Sequence, residues 1–128
     1  MEFEKVKDSG ERRKFGTGAV RDMALGKGRY DLISPLAMKR LAKHYQNGSL
    51  KYGDRNWEKG IPLNSYLDSA MRHLFNYLEG LRDEDHLSAC LWNVSALIHM
   101  EEMIERGLMP KELNNLPNYT IKSKNEIK

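Results

Sequence analysis

The sequence predicts an all-α protein, a small bundle of three main helices, and three observations support this fold class. Apolar residues recur at three- and four-residue spacing in three stretches of the chain, which is the spacing of one face of a helix. Each stretch begins at a capping residue and ends at or beside a glycine. No stretch shows the sustained apolar–polar alternation of a half-buried strand. A glycine-rich segment precedes the three helices, and a loose polar tail follows them.

Composition places the chain among ordinary small globular proteins. It has 128 residues, of which 40% are hydrophobic and 30% are charged, so one domain with one core is expected. The net charge of +3 suits a phosphate-bearing ligand but is too small to predict binding to duplex nucleic acid. The single cysteine, Cys90, excludes an internal disulfide.

The chain is expected to be cytoplasmic and not to associate with a membrane. No apolar run approaches the roughly 20 residues that span a bilayer. The first 15 residues are charged throughout and lack the apolar core of a signal peptide. We expect residues 1–14 to form a flexible N-terminal arm, residues 15–110 to form one all-α domain, and residues 111–128 to form a C-terminal tail.

The segment from Phe15 to Pro35 contains four glycines with basic residues between them. Such a segment can present backbone N–H groups and cations to a phosphate. It does not have the GxxxxGK[ST] spacing of a phosphate-binding P-loop. A flexible lead-in to the first helix is the alternative interpretation.

The first predicted helix has a clear beginning, because Ser34 is a good N-cap and Pro35 then occupies the first helical position. Apolar residues follow at helical spacing from Leu36 to Tyr45. The pair Asn47-Gly48 is typical of a helix end. The first helix should therefore stop there.

The second and third helices are predicted at Tyr66–Glu79, ended by Gly80, and from the acidic run 83–85 to Arg106, ended by Gly107. Only a few residues separate them, so they should form an antiparallel hairpin. Apolar spacing predicts a buried stripe on each helix. The stripes are Leu67, Ala70, Met71, Leu74, Tyr77 and Leu78 on the second helix, and Leu87, Cys90, Leu91, Val94, Leu97 and Ile98 on the third.

Between the first two helices lies a polar stretch, KYGDRNWEKG at 51–60, which is better suited to a ligand-binding loop than to a helix or buried strand. Tyr52 and Trp57 can stack on a base, although Trp57 can equally seal the ends of the helices. Asp54 can orient Arg55 or bind a metal ion. The side chains expected to face phosphate are Lys51, Arg55 and Lys59.

A second set of polar residues follows the flanks of the second and third helices, next to small residues that leave room for a ligand or for a close neighbouring helix. The members are Ser69, His73 and Asn76, and His86, Ala89, Asn93 and Ala96. The paired histidines and amides can bind a base, a phosphate or a metal. In the alternative, His73 and His86 only bond to backbone groups at the edge of the core.

Four carboxylates lie at the turn between these two helices: Glu79, Asp83, Glu84 and Asp85. Oxygen ligands of this kind can hold Mg²⁺. The alternative is structural, because an acidic residue in a first helical turn stabilises the helix by about 0.3–1 kcal/mol. Both interpretations stay open.

Four motifs in order, GRYDLISP (28–35), KYGDRNWEKG (51–60), RHLFNYLEG (72–80) and DEDHLSACLWN (83–93), resemble a phage-associated family. That family is named for the N-terminal region of dATP/dGTP diphosphohydrolase and is related to the all-α nucleotide pyrophosphohydrolases. The resemblance covers roughly residues 15–105, and four ordered motifs are far more specific than one. It implies a nucleotide-binding domain that converts purine deoxynucleoside triphosphates to monophosphate and pyrophosphate with Mg²⁺.

The resemblance, taken with the loop composition, assigns roles to particular residues. The expected nucleotide-binding residues are Asp31, Lys51, Tyr52, Arg55, Asn56, Trp57, His73 and Asn93. The expected catalytic residues are Glu79, Asp85 and His86, and the expected Mg²⁺ ligands are Asp54, Glu79 and Asp85.

All-α pyrophosphohydrolases carry an ExxE pair of carboxylates on one helix and an ExxD pair on the next, and neither pair stands in the expected place in this sequence. This favours an alternative function, a non-catalytic protein that sequesters a signalling nucleotide of host defence. A third interpretation is a regulatory partner of a phage replication enzyme. A homo-oligomer is expected in any case, with interface candidates Met71, Trp92, Met100 and Met103.

Overall fold

The computed structural model describes residues 6–120, and the chain divides after Ile33 into two compact units. The first unit contains a short antiparallel hairpin of β1 (Arg12–Lys14) and β2 (Val20–Asp22), followed by a 3₁₀ turn at Tyr30–Leu32. Three-residue strands with exposed side chains carry no apolar alternation, so the sequence did not predict them. The hairpin includes the last residues of the predicted arm 1–14, of which residues 1–5 lie outside the described residues.

The second unit confirms the predicted fold class. Its helices are α1 (Pro35–Tyr52), α2 (Leu63–Glu79) and α3 (His86–Glu105), with 3₁₀ turns at Asn56–Glu58 and Lys111–Leu113. None of the helices among residues 6–120 has the length and apolar character needed to cross a bilayer. Part of the predicted tail, residues 121–128, lies outside the described residues.

Helix α1 begins as predicted but ends later. The Ser34 hydroxyl accepts a hydrogen bond from the Ala37 N–H at 3.1 Å. The helix continues through Asn47-Gly48 to Tyr52, and Gly53, with φ at 90°, caps its C-terminal end. An interior glycine costs a helix only about 1 kcal/mol relative to alanine, which the packing and hydrogen bonds of one further turn can offset. The predicted end at Asn47-Gly48 is therefore wrong.

Helices α2 and α3 form the predicted antiparallel hairpin. Leu63, at the start of α2, clusters with Met100 near the end of α3. His73, further along α2, meets His86 at the start of α3. Gly80, in the left-handed region with φ at 98°, ends α2 as predicted.

The core follows the predicted apolar stripes only in part, since Ala70 of α2 is buried and Leu97 of α3 packs against the core. Met71 and Leu74 are each 51% exposed and Leu78 is 79% exposed, and the corresponding stripe of α3 is exposed at Leu91, Val94 and Ile98. The residues buried along α3 are instead those of the small and polar flank: His86, Ser88, Ala89, Asn93, Ala96 and Met100. Alanine side chains allow two helix backbones to approach closely, so this flank forms the contact between α2 and α3.

A compact apolar cluster closes the far end of the hairpin. Leu63, Tyr66, Ala96 and Met100 are buried at its centre. The half-buried residues that pack against them are Trp57, Ile61, Trp92, Leu97, Ile104, Met109, Leu113 and Leu116. Met100 is fully buried within the chain, so its predicted place in a subunit interface is wrong.

Candidate functional site

Two cavities and one histidine cluster are candidate functional sites. The aromatic cavity, of about 510 Å³, is lined by Tyr45, Gly48, Ser49, Tyr52, Gly53, Asp54, Arg55, Asn56, Trp57, Ile61 and Trp92. The arginine cavity, of about 550 Å³, is lined by Arg40, Tyr77, Arg82, Glu84, Asp85, His86 and Leu87. The histidine cluster consists of His73, Glu84 and His86.

The aromatic cavity is formed where α1 ends and the chain turns sharply. Gly53 leaves α1 with φ at 90°, and Arg55 follows in the left-handed region with φ at 58°. A non-glycine residue rarely adopts this conformation, and such strain is found disproportionately at binding sites. The Arg55 guanidinium donates to Glu58 at 2.7 Å. The turn brings consecutive side chains from 54 to 57 to the cavity wall.

Trp57 is held in place by a residue of α2. The Tyr66 hydroxyl donates a hydrogen bond to the Trp57 carbonyl at 2.8 Å, and burial raises the pKa of Tyr66 to about 12. The indole ring meets the rings of Tyr45 and His99 edge-on, with ring centres 5.7 and 4.9 Å apart. Trp57 therefore both packs against the core and lines the cavity, so the two sequence-based interpretations of this residue are compatible.

The cavity also has a polar wall that can recognise a base. The Ser49 hydroxyl donates to the Asp54 carboxylate, and Asn56 lies two residues further on. A carboxylate accepts hydrogen bonds, whereas an amide can both donate and accept them. Aromatic faces next to such groups are the arrangement that binds a nucleobase by stacking and by its edge.

The histidine cluster joins the second half of α2 to the start of α3. His73 Nδ1 and His86 Nδ1 are 3.0 Å apart, and Glu84 Oε1 is 3.6 Å from His73 Nδ1. On the other side of its ring, His86 Nε2 lies 2.8 Å from Asp83 Oδ1, and this hydrogen bond lowers the pKa of the Asp83 carboxyl. Burial lowers the pKa of His73, which favours the neutral ring at pH 7.

Asp85 has a structural role in this chain. Its carboxylate caps α3 by accepting from the Ser88 N–H at 3.1 Å, and both of its oxygens accept from the Arg40 guanidinium of α1. Arg40 and the Ser88 N–H hold the pKa of Asp85 well below its usual range. A carboxylate with both oxygens bound to a guanidinium is poorly available to a metal ion.

The structure separates the residues that the sequence grouped into one site. Tyr52, Asp54, Arg55, Asn56 and Trp57 line the aromatic cavity, whereas His73 and His86 belong to the histidine cluster. Trp92 lies seven positions after Asp85, a rise of about 10 Å along the helix.

The remaining predicted residues lie elsewhere. Lys51 is in the last turn of α1, with its ammonium group 5.1 Å from the centre of the Tyr52 ring. Glu79 is the exposed last residue of α2, and it lines neither of the two cavities. Asn93 is buried and donates to the Ala89 carbonyl at 2.9 Å. Asp31 lies in the first unit, where it accepts two hydrogen bonds from Arg29.

The three predicted Mg²⁺ ligands do not meet. Asp54 lines the aromatic cavity, Asp85 lines the arginine cavity, and Glu79 lines neither. Among residues 6–120, His73, Glu84 and His86 form the one group of three or more His, Cys, Asp or Glu side chains close enough to share a metal ion.

Sequence reasoning missed two walls of the aromatic cavity. Tyr45 and Ser49 lie on the same face of α1 as the predicted residue Tyr52, at spacings of four and three residues, and the predicted helix end at Asn47-Gly48 concealed this pattern. Trp92 was assigned to a subunit interface, but its ring lies beside Tyr45 and Tyr66, with ring centres 6.0 and 6.4 Å away.

A family model described as the N-terminal region of dATP/dGTP diphosphohydrolase matches residues 17–108, more than half of the chain. The chain belongs to this family. The match confirms the predicted resemblance and indicates a function related to that of the dATP/dGTP diphosphohydrolases. Neither the curated proteins nor the solved structures contain a match to the chain. Both cavities and the histidine cluster of this family member lie within the matched residues.

Proposed function

We propose that the chain is a Mg²⁺-dependent diphosphohydrolase that converts dATP or dGTP to the monophosphate and pyrophosphate. The observation that carries this proposal is the aromatic cavity, which combines stacking surfaces with a polar wall inside the region matched by the family. A phage origin of the protein and a cytoplasmic location belong to the same proposal, and they rest on the family resemblance and on the expectations from the sequence.

The cavity suits a purine nucleotide in size and chemistry. Its volume of about 510 Å³ falls within the range of small-molecule sites, roughly 300–1,000 Å³. Stacking of one base on an aromatic side chain contributes about 1–3 kcal/mol, and Tyr52 and Trp57 are the rings assigned to it. Asn56 can read the hydrogen-bonding edge of the purine, since an amide pairs well with adenine.

The phosphates are assigned to the solvent side of the same cavity. The Arg55 side chain is 77% exposed, so it can swing from Glu58 to an incoming phosphate and bind it through two N–H groups. Lys51, one turn back on α1, adds a second positive charge. These two residues keep the role that the sequence predicted for them.

Asp54 is the residue that would hold Mg²⁺ in this cavity. Mg²⁺ is often bound by only one or two carboxylates together with substrate phosphates and water, so a single aspartate fits this ion. Bound Mg²⁺ would withdraw charge from the phosphate oxygens. Catalytic roles for Glu79, Asp85 and His86 rest on the resemblance alone, because these residues lie outside the aromatic cavity.

The proposal is tested by incubating the purified chain with dATP or dGTP and Mg²⁺ and separating the products. Monophosphate and pyrophosphate should appear in equal amounts, and Asp54→Asn should lose most of the turnover while still binding the nucleotide. Asp68→Asn, an exposed residue of α2, is the matched control. Absence of pyrophosphate with every deoxynucleoside triphosphate would refute the enzymatic function.

One observation favours the alternative, a non-catalytic protein that sequesters a signalling nucleotide. Within the described part of the chain, Asp54 is the only carboxylate that lines the aromatic cavity. A binding protein needs no further carboxylates, whereas metal-assisted hydrolysis often uses several. Native mass spectrometry separates the two functions, because a sequestering protein releases its ligand unaltered on denaturation.

We also propose that the chain forms a homo-oligomer through the exposed apolar stripes of α2 and α3. Met71, Leu74 and Leu78 on α2 and Ile98 on α3 are each more than half exposed. Exposed apolar residues that repeat along a helix are typical of a protein–protein contact. A second copy of the chain offers a surface of matching chemistry.

A further inference from the structure

The histidine cluster has the composition and spacing of a metal site that differs from a Mg²⁺ site. One ligand atom each from His73, Glu84 and His86 can be chosen so that all three lie within 4.8 Å of one another. The His86 side chain is 2% exposed and the His73 side chain 15% exposed, whereas Glu84 is 53% exposed. Two largely buried imidazoles and one partly exposed carboxylate therefore lie close enough together to share one cation.

The hydrogen bond to Asp83 leaves the inward nitrogen of His86 able to bind a cation. An ionised carboxylate only accepts hydrogen bonds, so the proton between His86 and Asp83 lies on His86 Nε2. In the neutral ring, Nδ1 then carries a lone pair that faces His73. Metal-binding histidines characteristically donate their other N–H to a carboxylate in this way.

The distance between the histidines also fits joint coordination. Two nitrogens bound tetrahedrally to Zn²⁺ at 2.0–2.1 Å lie about 3.3 Å apart. His73 Nδ1 and His86 Nδ1 are 3.0 Å apart, and the two ring centres are 5.2 Å apart. A shift of a few tenths of an ångström would admit the ion, with His73 taking the tautomer that leaves its own Nδ1 unprotonated.

We propose that His73 Nδ1, His86 Nδ1 and a Glu84 carboxylate oxygen bind one Zn²⁺-class divalent cation. Imidazole nitrogen favours Zn²⁺ and its neighbours in the first transition row over Mg²⁺, which prefers oxygen ligands. Three protein ligands leave one coordination position for water or a small anion. Glu84 and His86 also line the arginine cavity, so this position is accessible from solvent. The site is separate from the aromatic cavity and does not depend on the proposed nucleotide function.

The test uses the full chain, stripped of metals with a chelator and titrated calorimetrically with ZnCl₂ alone. We expect one Zn²⁺ per chain and a higher melting temperature in its presence, because a cation that binds only the folded state stabilises it. Titration with Co²⁺ should give the visible absorption bands of a four-coordinate site. MgCl₂ at the same concentrations should give no comparable binding.

Matched variants locate the site. Glu84→Gln and His73→Gln should lose measurable binding, and Asp83→Asn should weaken it about 10–100-fold. Glu101→Gln and His99→Gln, which alter a glutamate and a histidine of α3 outside the cluster, should bind Zn²⁺ as the wild type does. Circular dichroism of each metal-free variant checks that the helices are intact.

Two results would overturn the proposal. The first is absence of Zn²⁺ binding by the folded wild-type chain. The second is binding that survives unchanged in both Glu84→Gln and His73→Gln, or that is weakened equally by Glu101→Gln or His99→Gln. Either result would show that His73 and His86 share only a hydrogen bond.

Discussion

At the scale of single residues, the shape of the aromatic cavity depends on a hydrogen bond from a side chain to the backbone of the cavity wall. Tyr66 is buried on α2 and reaches across to the Trp57 carbonyl, which has no helical partner of its own. This bond fixes the 3₁₀ turn that carries Asn56 and Trp57. A residue that touches no ligand therefore determines where the stacking ring lies.

Tyr66→Phe should lower the free energy of unfolding by about 1 kcal/mol, because the change leaves the Trp57 carbonyl without its hydrogen-bond donor while the ring remains. Urea unfolding followed by tryptophan fluorescence measures this loss. Nucleotide affinity should fall in the same variant. Tyr119→Phe removes a hydroxyl from a side chain that is 88% exposed and should change neither quantity. An unaltered affinity in Tyr66→Phe would show that the 3₁₀ turn holds its position without the bond.

At the scale of elements, the length of α1 matters most, because its last turns form one wall of the cavity. The continuation through Gly48 places Ser49 and Tyr52 on the same helical face as Tyr45. Helix α1 is tied to α3 at two points, by Arg40 with Asp85 and by the Tyr45 hydroxyl with Ser95 at 3.2 Å. Beyond Asn47-Gly48 the last turn is closed by the Gly53 N–H, which donates to the Ser49 carbonyl.

Gly48→Ala tests the continuation of α1. Alanine is better than glycine inside a helix by about 0.5–1 kcal/mol, and a Cβ at Gly48 would have no atom within 4 Å. We expect the melting temperature to rise. If α1 ended at this glycine in a left-handed conformation, the same change would lower it. Gly53→Ala, at a residue with φ of 90°, is the matched change and should destabilise the chain.

Asp85→Asn tests the link between α1 and α3 through its pH dependence. Asparagine is about as good an N-cap as aspartate, so the variant keeps the cap but loses the charged pair with Arg40, and it should be less stable at pH 7. The folded-state pKa of Asp85 is lowered, so its contribution is fully present above the unfolded-state pKa of about 4 and is lost progressively as the pH falls from there toward the folded-state pKa. Thermal melts from pH 7 to pH 3 should therefore show the two proteins converging. A stability difference that stays constant over this range would contradict the assignment.

At the scale of the whole chain, the exposed apolar stripes of α2 and α3 are the main feature that one copy leaves unexplained. Small and polar residues form the contact between these two helices, while Leu74, Leu78 and Ile98 point away from it. Apolar area buried between two copies contributes roughly 25 cal/mol per Å² before the costs of association. The proposed homo-oligomer gives these side chains a packing partner.

Leu74→Glu should dissociate the proposed oligomer, because a charge buried in an apolar contact without a partner is strongly unfavourable. Light scattering coupled to size-exclusion chromatography gives the mass directly. Leu25→Glu adds the same charge at a leucine of the first unit that is 90% exposed, and it should leave the mass unchanged. A wild-type chain that elutes as a monomer at all concentrations would contradict the proposal.

Features that depend on local interactions could be predicted from the sequence alone. The start of α1 at Ser34-Pro35, the end of α2 at Gly80 and the short turn before α3 follow from hydrogen bonds and backbone preferences within a few residues. The four ordered motifs were sufficient to predict the family. Tyr52, Asp54, Asn56 and Trp57 were also correctly placed together, because they are neighbours along one turn.

The buried face of each helix and the grouping of the carboxylates depend instead on how the helices pack against one another. Periodicity identifies a stripe on a helix, but the closest approach of two helices depends on side-chain size at the contact. Ala89 and Ala96 therefore lie in the interface, while the stripe of Leu91 and Val94 faces outward. The same packing brought His73 to His86 across the hairpin and left Glu79 exposed, because distances between elements are set by the three-dimensional fit of their side chains.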